Sequence, residues 1–183
     1  VIEPFASFDT TGMIFPRLVT EIPTVANGGI SADLTTITWK LLPGLKWSDG
    51  TDVTADDAVF TYEYCTHPEG GCASLSKFEG IASVEAVDPT TVKVTFTAPK
   101  PNPFNAFVGS QSPIIQAAQF AACTGAAAPT CTDQNNGPIG TGPFLQQEWK
   151  PKERSVFTRN PDYFESGLPF VDQVITVVQD DVA

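Results

Sequence analysis

Four aspartates, Asp49, Asp52, Asp56 and Asp57, fall within nine positions of the stretch GLKWSDGTDVTADDAVF, residues 44–60. Carboxylates this close together can share acid and base roles on a glycosidic bond or gather oxygens around a hard cation such as calcium. The calcium-loop ladder D-x-D-x-D-G is absent, because Asp49-Gly50-Thr51-Asp52 places its glycine too early. Local structure accounts for three of the four without chemistry. Asp49-Gly50 suits a turn with positive φ. Thr54-Ala55-Asp56-Asp57 reads as a helix start, with a hydroxyl at the N-cap and an acidic residue three positions on. Asp56 and Asp57 then lie in the first turn, where the helix dipole favours negative charge. Asp52 is left unassigned.

Nucleophilic catalysis needs a base beside a serine or cysteine, and the single histidine, His67, sits next to Pro68 inside a cysteine-bracketed loop. No G-x-S-x-G elbow, H-E-x-x-H pair or complete phosphate loop occurs. The segment GPIGTGP has the glycines of an anion cradle, but Pro143 removes a donor and no Lys or Ser/Thr follows in register. The expectation is a protein that is not an enzyme and takes no cofactor or metal.

Cys65, Cys72, Cys123 and Cys131 form two pairs seven and eight positions apart, bracketing THPEGG and TGAAAPT, which can turn back on themselves. Two local disulfides are the preferred reading, and they imply an oxidising compartment. Buried thiols and a metal site are the alternatives, although no C-x-x-C is present and His67 is not at a zinc-finger spacing. Sequence alone does not choose among the three possible connectivities.

Ten Lys plus Arg against 21 Asp plus Glu give a formal charge of -11, which repels phosphate backbones and anionic lipid. Nucleic acid is therefore not an expected partner. No apolar run approaches the roughly 20 residues needed to span a bilayer. At 183 residues, 42% of them hydrophobic, the chain can bury a real core.

The elements that must position these residues follow from periodicity. The first thirty residues are broken by prolines and Asn27-Gly28-Gly29 and read as extended segments and loops. Thr36 to Leu41 alternates as a half-buried strand. A helix is expected from about Ala55 to Tyr64, with Val53 stapled on Ala58. Ile81–Val87 and Thr91–Thr97 form a hairpin across Asp88-Pro89-Thr90. Ile114 to Ala122 reads as a helix and the second cysteine segment as a loop. Phe144–Trp149 and Arg154–Arg159 read as paired strands, and Val171–Val178 as a buried one. The class is α+β. Most of the 13 phenylalanines belong to the core, with Phe15, Phe78, Phe104 and Phe107 at loop edges where a ligand cleft could be lined.

Four segments taken in order, LVTEIPTVANGGIS, TITWKLLPGLKWSDGTDVTADDAVFTYEY, VEAVDPTTVKVTF and PIGTGPFLQQEWKPKERSVFTRNPDYF, resemble the dipeptide and oligopeptide-binding family of bacterial ABC-transporter solute-binding proteins. The resemblance runs over nearly the whole chain. It implies a piece of lobe I of a type II periplasmic-binding-protein fold, in which a solute is captured between two lobes and delivered to a membrane permease. Residues 1–46 and 139–183 would be part of the main subdomain and 47–138 a small inserted one. The resemblance matches ligand-approaching positions of the first lobe to Ser74 and Leu75, just after the capped helix; Phe78 and Phe15 complete the candidate ligand-binding set. Cys72 lies close by, so the loop is expected to be shaped differently from the family's. The implied partners are a small, peptide-like solute, the ABC permease subunits and a second lobe of the same protein. The implied location is periplasmic or otherwise extracytoplasmic, a cell-surface lipoprotein included. A carboxylate-based extracellular hydrolase and a cell-surface structural module are the competing classes.

Overall fold

The structure, a computed structural model, describes residues 1–179. The alternation of Thr36–Lys40 (β3) buries Ile37 and Trp39, and that of Thr91–Phe96 (β5) buries Val92, Val94 and Phe96. Ile81–Asp88 (β4) adds Val84, and the three strands form an antiparallel sheet in the order β3-β5-β4. Helix α1, Ala55–Thr66, lies across β4 and β5 with Ala55, Ala58 and Cys65 buried. Its first turn is tied to the hairpin by the Ala55 N–H, which donates to the Pro89 carbonyl at 2.8 Å. Phe5, Leu18, Leu45, Trp47, Phe107 and Ile114 complete the core, each contributing about 2 kcal/mol through the water it loses.

A second antiparallel sheet, β6-β7-β8, comprises Phe144–Lys150, Arg154–Arg159 and Gln173–Val177. Glu148 on β6 pairs with Arg154 through two hydrogen bonds of 3.0 and 3.1 Å, beside a bulge between Gln146 and Glu148. Strand β8 is not buried: Ile175 and Val177 are exposed, because β7 flanks it on one side and nothing among the described residues lies on the other. Residues 180–183, the end of the range assigned to the main subdomain, lie outside the described residues.

Three further elements depart from expectation. The N-terminal region holds a small hairpin, Ala6–Phe8 (β1) with Ile14–Pro16 (β2), turned by Asp9, whose carboxylate accepts the Thr11 and Met13 N–H groups. Strand β1 also makes a parallel bridge from Ala6 to Val108. The helix expected over 114–122 shrinks to Ala117–Phe120 (α2), because the N–H groups of Ile115 and Ala117 are taken by side chains of α1 rather than by a preceding turn. The second cysteine segment contains a 3₁₀ stretch, Gly125–Thr130, and a short helix, Thr132–Asn136 (α3), follows it directly. In addition, β3 pairs with β5, so a division at 46/47 runs through one sheet.

The glycines of GPIGTGP are packing residues. The Gly142 N–H donates to the Val1 carbonyl at 2.6 Å and the Ser48 N–H to the Gly140 carbonyl at 2.9 Å. A Cβ at either glycine would run into the Val1 backbone.

Candidate functional site

The four aspartates have four different tasks. Asp49 turns the chain, accepting the Thr51 N–H and hydroxyl and, on its other oxygen, the Gln116 amide at 2.8 Å. Its slight burial acts to raise its pKa, but the hydrogen bonds from Thr51 and Gln116 outweigh this and hold the carboxyl below the usual carboxylate range. Asp52 pairs with Lys46 at the surface, at 2.5 Å, an exposed contact worth little. Asp56 is exposed in the first turn of α1. Asp57 is buried and accepts three hydrogen bonds, from the Thr54 N–H (2.9 Å), the Trp47 indole (3.1 Å) and the Ala117 N–H (2.9 Å). One turn on, Thr61 donates to the Asp57 carbonyl and accepts the Ile115 N–H at 3.0 Å. One face of α1 thus holds segment 115–117 in place through two backbone donors. Among the described residues, no three His, Cys, Asp or Glu side chains gather as a metal would require.

Beyond α1 the chain forms a cavity of about 360 Å³. Both cysteine pairs are bonded, Cys65–Cys72 and Cys123–Cys131, and the two loops meet. The His67 ring lies so close to Gly125, at φ +58, that a Cβ there would come within 2.7 Å of it. Tyr64, Cys65 and Cys72 form one wall; Pro113 and Ile115 form another; Ala128 and Pro129 of the second loop close it. Burial raises the Tyr64 phenol above its ordinary pKa.

Of the candidate ligand residues, Ser74 and Phe78 line this cavity. Phe78 is buried there, its ring 5.6 Å from Phe107 and 5.9 Å from Tyr62. Leu75, at 51% exposure, points away from the lining, and Phe15 sits on β2, outside the cavity. Phe107 is wholly buried in the core, and Phe104 packs on Trp39 at 6.1 Å. Segments 111–113 and 128–135, which complete the lining, were not legible as a site. Of these, only 128–130 fall within a cysteine-bracketed loop of the sequence.

The sequence model described as bacterial extracellular solute-binding proteins, family 5, middle region, matches residues 16–183. The chain belongs to this family. Among curated relatives of this family 5 chain, the glutathione-binding protein GsiB of Escherichia coli K12 is 30% identical over 164 residues, covering 88% of the chain and 29% of the relative. The oligopeptide-binding protein AppA of Bacillus subtilis, solved with a nonapeptide, superposes with a TM-score of 0.82 at 25% identity. It covers 98% of this chain and 34% of its own. NikZ of Campylobacter jejuni, solved with Ni(L-His), gives 0.81 at 26% identity, covering 98% and 34%. The family 5 chain therefore spans between 21 and 29% of the length of the curated relatives it matches, and about a third of these solved structures. The family is a solute-binding one, with the α+β fold expected from the strand and helix pattern.

Proposed function

We propose that this chain is the lobe I portion of a two-lobed, extracytoplasmic ABC-transporter receptor, and that it presents one wall of the site that captures a peptide-like solute. The cavity that joins Ser74 and Phe78 carries this reading, with support from relatives whose names specify glutathione and a nonapeptide as ligands. The second lobe supplies the remaining contacts. Ligand touching both lobes stabilises the closed form by its greater affinity for that form, and the closed form is what the permease subunits receive. The chain acts by binding: Asp49 and Asp57, which lie in the aspartate cluster, have their oxygens engaged by backbone and side-chain donors rather than held open to a substrate.

A half-site makes only part of the contacts. The 183-residue chain alone is expected to bind peptides with a Kd no tighter than about 1 mM, equivalent to roughly 4 kcal/mol, whereas the two-lobed protein carrying it binds in the micromolar range. Calorimetric titration of both with peptides of increasing length tests this. Micromolar binding to the chain alone sinks the two-lobe reading, and no binding to the two-lobed protein sinks the peptide assignment.

A further inference from the structure

The chain carries 31 charged side chains (10 Lys plus Arg and 21 Asp plus Glu), yet among the described residues none lines the cavity between the two disulfide loops. Glu63, Glu69 and Lys77 are close in sequence to lining residues and still stay out of it. The polar groups that do line it are largely engaged within the protein. The Thr61 hydroxyl donates to the Asp57 carbonyl and accepts from Ile115. The Ser112 hydroxyl accepts the Phe107 N–H at 2.9 Å. The Ser74 hydroxyl donates to the Gln111 carbonyl, and the Asn135 amide to the Ala128 carbonyl. What remains for a ligand is the apolar surface of Phe78, Pro113, Ile115 and the Cys65–Cys72 bridge, with the uncharged Tyr64 hydroxyl and Gln111 amide among the lining.

We infer that this cavity is a subsite for an uncharged, mainly apolar group, an aromatic or branched aliphatic side chain of the solute, and that it discriminates against carboxylates and ammonium groups. The inference rests on the receptor reading above for the identity of the solute, but the cavity's chemistry stands by itself. A buried charge here would lose its water and meet no counter-charge, a loss that packing against the apolar walls does not offset. An apolar group meets no such penalty. The volume of about 360 Å³ exceeds the ~150 Å³ of an apolar cavity that accepts benzene and lies at the small end of ligand pockets, about 300 to 1,000 Å³. The two disulfides and the His67–Gly125 contact hold the walls together before any ligand arrives, which lowers the ordering cost of binding.

The test uses three probes of similar size on the 183-residue chain: indole, benzoate and benzylamine, followed by amide NMR. Indole is expected to give saturable shifts within 64–78, 111–115 and 128–135, with the two ions at least about a hundredfold weaker. Ala73→Trp, a substitution at an exposed rim position, is expected to abolish the indole shifts while thermal unfolding stays unchanged. Gln111→Trp, at another exposed lining position, is the second variant, read the same way should Ala73→Trp perturb the fold. Equal shifts from the ions, or indole shifts confined to other segments, overturn the inference. On the two-lobed protein, peptide binding with no preference for Ala-Phe-Ala over Ala-Asp-Ala and Ala-Lys-Ala also overturns it, while leaving the receptor reading intact. Indole binding in the cavity with no peptide bound upholds the inference and removes the peptide assignment instead.

Discussion

Asp57 on α1 and Ala117 at the start of α2, 60 positions apart in sequence, are joined by a 2.9 Å hydrogen bond from the Ala117 N–H to the carboxylate. The same carboxylate receives the Trp47 indole and the Thr54 N–H. It therefore fixes the helix, the turn before it and the segment that runs on to the cavity wall at Ile115. A residue whose sequence context suggests a simple helix cap is the point where three segments of the fold are locked together.

Asp57→Ala leaves the three donors without their acceptor, and the expected loss is about 3 kcal/mol, since bonds to a charged acceptor are the strong kind. Asp56→Ala, at an exposed first-turn position, is expected to cost no more than about 1 kcal/mol. Urea unfolding of the two variants measures the contrast. Equal losses would show that Asp57 acts only through the helix dipole.

The two disulfides close short loops, with sequence separations of 7 and 8. Loop-closure entropy gives each about 2.5 kcal/mol. The double variants Cys65→Ala/Cys72→Ala and Cys123→Ala/Cys131→Ala are each expected to lower stability by about that amount, and the first also removes one cavity wall. A thiol titration of the unfolded protein without reductant should find no thiols, and four after reduction. Four thiols before reduction would contradict the pairing.

Glu148 is held at a pKa of about 2, below its ordinary 4.5, by the hydrogen bonds from Arg154 and then Lys150. A depressed carboxylate favours the folded state above its unfolded pKa and loses that contribution as pH falls toward its folded value. The stability that Glu148 adds is thus present above about pH 4.5 and lost toward about pH 2. Glu148→Gln should flatten the acid limb of the urea midpoint in that window. An unchanged slope would show that the Glu148–Arg154 pair has no net effect, the usual fate of exposed pairs.

Period-two alternation made β3 and the β4–β5 hairpin legible in the sequence, and the Thr54–Asp57 box marked the start of α1 to the residue. These signals are local. The shortened helix at 114–122 was not legible, because Asp57 and Thr61 claim its backbone donors from across the fold. The β3–β5 pairing that crosses the 46/47 division is likewise a contact between segments some fifty residues apart. Within the candidate site, Ser74 and Phe78 reach the cavity while Leu75 does not. Leu75 and Phe78 bound a single 3₁₀ turn, and no periodicity in four residues reveals which of them the cavity takes. Gln111, Pro113 and Ala128 carry no chemical signature of their own; the fold alone gathers them.

In the proposed receptor, the cavity between the disulfide loops forms part of the solute site. The most direct test is calorimetric titration of the two-lobed protein carrying this chain, wild type against Ala73→Trp, with a peptide that the wild type binds. Filling the cavity is expected to raise the Kd at least about tenfold, or roughly 1.4 kcal/mol, with thermal stability unchanged. An unaltered Kd in a variant shown to be folded would contradict the cavity's part in the solute site.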